Sequence, residues 1–142
     1  MSTRGASNLA VLVVDDEERM TVELAEALSD DGYVTFTATS AREALDLLAS
    51  NPSIAVMISD IRMPDCDGIE LTRQVLHNRG DELAVEVILV TGHAMFDDTR
   101  VAVAHGAFDF LRKPFKLNDI YSATERAMQR SSSRRQSASM AS

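Results

Sequence analysis

The stretch LAVLVVDD, residues 9–16, is a run of six apolar residues cut off by two adjacent aspartates. A strand with one wet face alternates apolar and polar positions. This run has no polar position, which is the pattern of a parallel strand covered on both sides. It therefore predicts a central strand, and the next segment supplies part of the covering. EERMTVELAEALSDDG, residues 17–32, carries Met20, Leu24, Ala25 and Leu28 at helical spacing, with acids in its first turn and Gly32 as its stop.

The same alternation repeats along the chain. YVTFTA (33–38) reads as a second strand, and Ser40 to Ala49 as a helix in which Ser40 and Glu43 have capping-box spacing and Pro52 blocks continuation. IAVMIS (54–59) is a third strand, and a third helix opens at Asp67 and Gly68 and runs to about His77. VEVILVT (85–91) is a fourth strand, followed by a fourth helix near Met95 to Ala104 and a fifth strand, AFDFL (107–111). A last helix starts near Leu117 and lines up Leu117, Ile120, Tyr121, Ala127 and Met128, with Thr124 the one polar member of the stripe. Five strand–helix units of this kind specify a doubly wound α/β fold with a five-stranded parallel sheet and helices on both faces.

Length and composition agree with a single domain. The chain has 142 residues, 45% of them hydrophobic and 25% charged, and no apolar run approaches the length of a membrane span. Residues 1–8 read as a flexible N-terminus without a secretory signal, so a cytoplasmic location is expected. The one cysteine, Cys66, excludes an internal disulfide and a Cys-rich zinc site. All 22 acidic residues lie between Asp15 and Glu125, and residues 9–129 hold 10 basic residues, for a net charge of −12. A surface of that sign repels a phosphate backbone, so direct nucleic-acid binding by this domain is not expected. The domain is expected to span 9–130. SSSRRQSASMAS (131–142) reads as a flexible tail or the start of a linker, because it has too little apolar surface to offset the entropy of ordering.

In an open parallel sheet the ligand site lies at the carboxyl ends of the strands. Strand one ends in Asp15 and Asp16, strand three in Asp60 and strand four in Thr91, and strand five is closely followed by Lys113 and Pro114. An acidic pair such as Asp15-Asp16 could by itself be helix N-terminus chemistry. Three carboxylates on one rim repel one another unless they share a cation, and an all-oxygen, water-open donor set suits Mg²⁺, or Mn²⁺, far better than zinc. With Lys113 as a fixed positive charge and Thr91 as a hydroxyl donor, the rim matches the three oxygens of a phosphoryl group, and Asp60 is the candidate nucleophile.

Taken together, VLVVDDEE, SDIRMPDCDGIEL, VTGHA and GAFDFLRKPF resemble, in order and spacing, the receiver domains of bacterial two-component response regulators over about residues 8–130. The resemblance implies a flavodoxin-like sheet of order 2-1-3-4-5 with five helices. It implies that Asp60 accepts a phosphoryl group from a sensor histidine kinase or a histidine phosphotransfer protein. Asp16, Asp60 and the backbone carbonyl of Arg62 would hold Mg²⁺, with Asp15 acting mainly through a bound water. Thr91 and Lys113 would contact the phosphoryl oxygens, the Lys113–Pro114 peptide would be cis, and Phe110 would be the aromatic partner of Thr91 in the switch. Arg62 and His93 stand at the two positions that influence how fast water removes the phosphoryl group.

The function expected on this reading is a phosphorylation-controlled signalling domain, not a turnover enzyme, with slow autodephosphorylation and a readout through an output domain or downstream protein. Its readout face would be the fourth helix, fifth strand and fifth helix, a face also available for homodimerisation. Two alternatives compete with it. An Mg²⁺-dependent aspartyl-phosphate phosphatase would need a DxD arrangement, whereas Asp60 is followed by Ile61 and Arg62. A phosphorylation-independent interaction module of the same fold would have no use for the full set of Asp15, Asp16, Asp60, Thr91 and Lys113.

Overall fold

The computed structural model describes residues 8–92, 100 and 102–141. Five parallel strands, β1 (Ala10–Val14), β2 (Val34–Ala38), β3 (Ile54–Asp60), β4 (Glu86–Thr91) and β5 (Asp109–Arg112), form one sheet in the order β2-β1-β3-β4-β5. Helices α1 (Glu18–Asp30), α2 (Ala41–Ser50) and α3 (Gly68–Asn78), a short 3₁₀ turn (Asp81–Leu83) and a C-terminal helix (Leu117–Ala141) connect and cover it. Residues 100 and 102–104 are helical too; the rest of the expected fourth helix lies outside the described residues.

Both faces of the sheet are dry. On one, Leu12, Val14, Met57, Val87 and Leu89 meet Ala44 and Leu48 of α2 and Leu71 and Val75 of α3. On the other, Val11, Val13, Val56, Ile58, Ile88 and Val90 meet Ala25 and Leu28 of α1 and Ile120, Ala123 and Ala127 of the C-terminal helix. Alternate residues of each central strand feed opposite cores, which explains why β1, β3 and β4 read as nearly unbroken apolar runs. β2 is an edge strand and is only partly covered.

The helix boundaries follow local chemistry. Ser40 accepts a hydrogen bond from Glu43 N, and Glu43 reaches back to Thr39 N, one residue before the expected partner of a capping box. Asp67 caps α3 by accepting from Glu70 N at 2.7 Å. Gly32, at φ 103°, takes the left-handed turn that ends α1 and admits Tyr33 to the core.

Two expectations are corrected. Leu117 is half exposed, because it sits in the first turn of its helix, before the chain reaches the sheet; the buried stripe begins at Ile120. Residues 131–141, within the 131–142 segment expected as a flexible tail or the start of a linker, continue the C-terminal helix and dock on the body through Ser131, Arg134 and Arg135. Polar contacts to distant backbone and to Glu86 supply what the missing apolar side chains do not.

Candidate functional site

The parallel sheet places the C-terminal ends of β1 and β3 side by side, with Val14 opposite Ser59 in register. The next residues of both strands therefore meet at one rim. Asp15, Asp16 and Asp60 each offer a carboxylate oxygen, and the three oxygens lie within 4.8 Å of one another. Asp15 is buried, Asp60 is partly buried and Asp16 is open to solvent. Asp15 is oriented by Glu17 N, which donates to its Oδ1 at 2.9 Å, and Asp60 by Arg62 N, which donates to its Oδ1 at 3.4 Å.

Lys113 closes the rim from β5. Its Nζ donates to Asp15 Oδ2 at 3.2 Å and stands 3.6 Å from Asp60 Oδ2. Lys113 N also donates to Thr91 O at 2.8 Å, tying the loop after β5 to the end of β4. The Lys113–Pro114 peptide is cis. A Cβ added at Gly92 would lie 3.9 Å from Lys113 Cβ, so Gly92, just after β4, stands in van der Waals reach of the lysine stem.

The electrostatics are those of a crowded acidic pocket. Burial raises the pKa of Asp60; Lys113 opposes that rise, and the neighbouring Asp15 and Asp16 add to it. Burial works against the Lys113 ammonium, yet Asp60 and Asp15 together hold its pKa above the ordinary lysine value. Among the described residues one cation, Lys113, thus faces the carboxylates, leaving an excess of negative charge for a second, hard cation to neutralise. The donors are all oxygen and one side is wet, which fits Mg²⁺ and does not fit a thiolate- or imidazole-seeking metal.

Thr91 is buried at the end of β4. Leu89 pairs with Phe110 across β4 and β5, and period-two alternation puts Thr91 on the same face as Leu89 and Phe110. The side chain of Arg62 is exposed beside the rim, and His93 lies outside the described residues. Beside Asp15 and Lys113 a recess of about 150 Å³ opens between α1 and the start of the C-terminal helix, walled by Met20, Leu24, Ile58 and Phe115.

Two more residues hold the site: Asp65, to which the sequence assigns no role, and Gly68, expected only to open α3. Asp65, in the loop after Asp60, accepts from Ala41 N and Arg42 N, both at 3.3 Å, and so pins that loop to the start of α2. Gly68 donates its N–H to Ile61 O at 2.7 Å, and a Cβ there would stand 2.5 Å from Asp60 O. Only the glycine in DCDG signals the second; the first has a sequence separation of 24 and no local pattern.

Among the described residues no helix is long and apolar enough to cross a membrane. Residues 11–125 match the family described as response regulator receiver domain. The chain is 37% identical over 120 residues to the regulatory protein AtoC of Escherichia coli K12, a match covering 84% of this chain and 25% of AtoC. It is 38% identical over 110 residues to the response regulator MprA of Mycolicibacterium vanbaalenii, covering 78% of this chain and 46% of MprA. The chain thus spans a quarter to about half the length of these curated relatives. A receiver domain structure from Clostridium thermocellum superposes with a TM-score of 0.80 at 33% identity, covering 86% of this chain and 95% of that one. The beryllofluoride-activated NtrC4 receiver domain dimer gives 0.75 at 34% identity, covering 86% and 98%. With the strand order, the carboxylate rim and the lysine already in place, these matches establish that the chain belongs to the receiver domain family of two-component response regulators.

Proposed function

We propose that Asp60 takes a phosphoryl group from a phosphohistidine of a sensor histidine kinase or a histidine phosphotransfer protein, in the cytoplasm and in an Mg²⁺-dependent step that Mn²⁺ also supports. The observation that carries this reading is the meeting of Asp15, Asp16 and Asp60 oxygens within 4.8 Å beneath the Lys113 ammonium. Three carboxylates held so close to a single lysine repel one another, a cost that a shared cation would offset.

Asp16, Asp60 and the backbone carbonyl of Arg62 would hold the ion, with Asp15 reaching it through water, and when bound it supplies charge neutralisation for the phosphoryl oxygens. The protein does the rest by positioning. An Asp60 carboxylate oxygen forms the new O–P bond as the donor's N–P bond breaks, and the bonding pair leaves with the imidazole nitrogen. Lys113, already aimed at Asp60, pairs with one phosphoryl oxygen, and the Thr91 hydroxyl donates to another. Hydrolysis returns the carboxylate when water attacks phosphorus, and Arg62 and His93, two residues after Asp60 and two after Thr91 in the chain, set how often it arrives.

Thr91 sharing a face with Phe110 supports a switch in which the threonine turns toward the phosphoryl group and the ring follows it inward, reshaping β5 and the adjoining helices. The recess beside Phe115 and the exposed start of α1 near Arg19 form the docking ground for the donor protein. The readout passes to an output domain or a downstream partner, and a second copy is one such partner through the face formed by residues near 102–104, β5 and the C-terminal helix. The test is the intact mass after incubation with acetyl phosphate and Mg²⁺. The native chain should gain one phosphoryl group, lose it on standing, and gain none with EDTA or as Asp60→Asn. Equal labelling of Asp60→Asn would overturn the reading.

A further inference from the structure

The C-terminal helix is longer than its sequence accounts for. SSSRRQS (131–137) contains four serines, which compete for backbone hydrogen bonds and are indifferent helix formers. A short segment of that composition does not hold a helix alone in water. Nor does apolar packing hold it: past Met128 the one large apolar side chain is Met140, which is 79% exposed. Yet the helix runs unbroken for 25 residues, to Ala141.

Polar contacts to the end of the sheet opposite the carboxylates hold it. The Ser131 hydroxyl is buried and donates to Ala84 O at 2.6 Å. Arg134 donates to Glu86 Oε2 at 2.6 Å and, through Nε and a terminal nitrogen, to Asp81 Oδ1 at 3.2 and 2.9 Å. Arg130 Nε stands 3.3 Å from the same Glu86 oxygen. Glu86 is 4% exposed, and the ion pairs described for it are these two, both supplied from beyond residue 125, where the match to the family ends. Arg135 spreads its three nitrogens over Ala84 O, Pro52 O and Ile54 O.

The grip has an opposing force. Arg79 also donates to Pro52 O and Ile54 O, so two guanidinium groups share one set of carbonyls. Burial and the charge of Arg79 hold the Arg135 pKa down to about 10. A contact built from desolvated polar groups, with a like charge beside it, recovers part of its desolvation cost when it opens.

We propose that Arg130–Arg135 is a strap whose closure on the floor of the sheet and the helical folding of residues 131–141 are a single event. With the strap closed, the C-terminal helix is one rod of about 38 Å. With it open, the helix ends near Met128 and the remainder is coil. The strap fastens to Glu86, at the start of the strand whose far end carries Thr91, and its geometry owes nothing to phosphoryl chemistry.

Hydrogen exchange on the full chain tests this. In the native protein the amides of 132–139 should exchange at least about tenfold slower than coil. In Arg134→Met/Arg135→Met, and in Glu86→Gln, they should exchange at coil rates while the amides of β1, β3 and β4 keep their protection. The coupling must run both ways. Ser133→Pro, which leaves every arginine in place, should therefore speed exchange around Ala84 to Val87. Coil-like exchange of 132–139 in the native chain, unchanged protection in the arginine double variant, or loss of the whole sheet with the strap would each overturn the proposal.

Discussion

Gly68→Ala sets two known effects against each other at the foot of the acceptor residue. Gly68 opens α3, and alanine is the better helix former by at most about 1 kcal/mol. Propensity alone thus predicts a small gain. The structure predicts a loss. The new Cβ would stand 2.5 Å from Asp60 O, 2.9 Å from Ile61 Cα and 3.2 Å from Asp60 C. Carbon atoms pack at about 3.5–4.0 Å, so these contacts require a shift of roughly 0.6 Å or more. All three atoms are backbone, so no side chain can swing aside, and the Gly68 N–H to Ile61 O bond at 2.7 Å opposes separation of helix and strand. Overpacking of this kind costs about 1–3 kcal/mol; the middle of that range, less the full propensity gain, leaves a net loss of about 1 kcal/mol and a fall in Tm of about 3 °C. Urea melts read by far-ultraviolet circular dichroism, with the slope unchanged and the midpoint lowered, give the number directly. The shift should also slow phosphorylation of Asp60 by acetyl phosphate. A variant as stable as the native chain would refute the close approach.

Three further perturbations probe the charges. Asp60→Asn should be more stable than the native chain at pH 7 in EDTA. Because the native Asp60 pKa lies above its unfolded value, the folded state holds the proton longer. Native stability therefore falls as pH rises from the ordinary aspartate range through the raised value. Thermal melts should show the variant's advantage closing as the pH is lowered into that range, and closing again when Mg²⁺ is added at pH 7; an advantage constant with pH contradicts the assignment. Lys113→Met removes a positive charge beside the carboxylates, so calorimetric titration should find Mg²⁺ bound about three- to tenfold more tightly while phosphoryl acceptance is lost; weaker Mg²⁺ binding would place the ion elsewhere. Arg79→Met withdraws donors from Leu48 O, Pro52 O, Ile54 O and Leu83 O and should lower stability by about 1–3 kcal/mol in urea melts, with no change in Mg²⁺ affinity.

Features with a short period or a position at a strand end are legible in the sequence. β1, β3 and β4 declare themselves because a doubly covered strand has no polar face, Asp15, Asp16, Asp60 and Thr91 because they break those runs or come just after them, and Lys113 because it follows β5 directly. Sheet topology then carries the aspartates and Lys113 to one rim. The C-terminal segment misleads for the opposite reason. Its serines and arginines carry no apolar periodicity, and the contacts that order it lie 47 and 48 residues away at Ala84 and Glu86. Asp65 is silent in the same way, since its partners on α2 come earlier in the chain and share no motif with it. Leu117 falls on the buried stripe by periodicity, which gives an angle around a helix and not the point at which the helix first touches the sheet.

The claim on which the rest depends is that the Asp60 carboxylate is the atom group that carries phosphorus. An acyl phosphate is reduced by borohydride to an alcohol, so trapping the acetyl phosphate-treated protein and sequencing its peptides by tandem mass spectrometry reads the acceptor directly. The account predicts homoserine at position 60, dependent on Mg²⁺, with Asp15 and Asp16 unchanged. Homoserine at position 15 or 16, or none anywhere in a chain that has gained a phosphoryl mass, would contradict it.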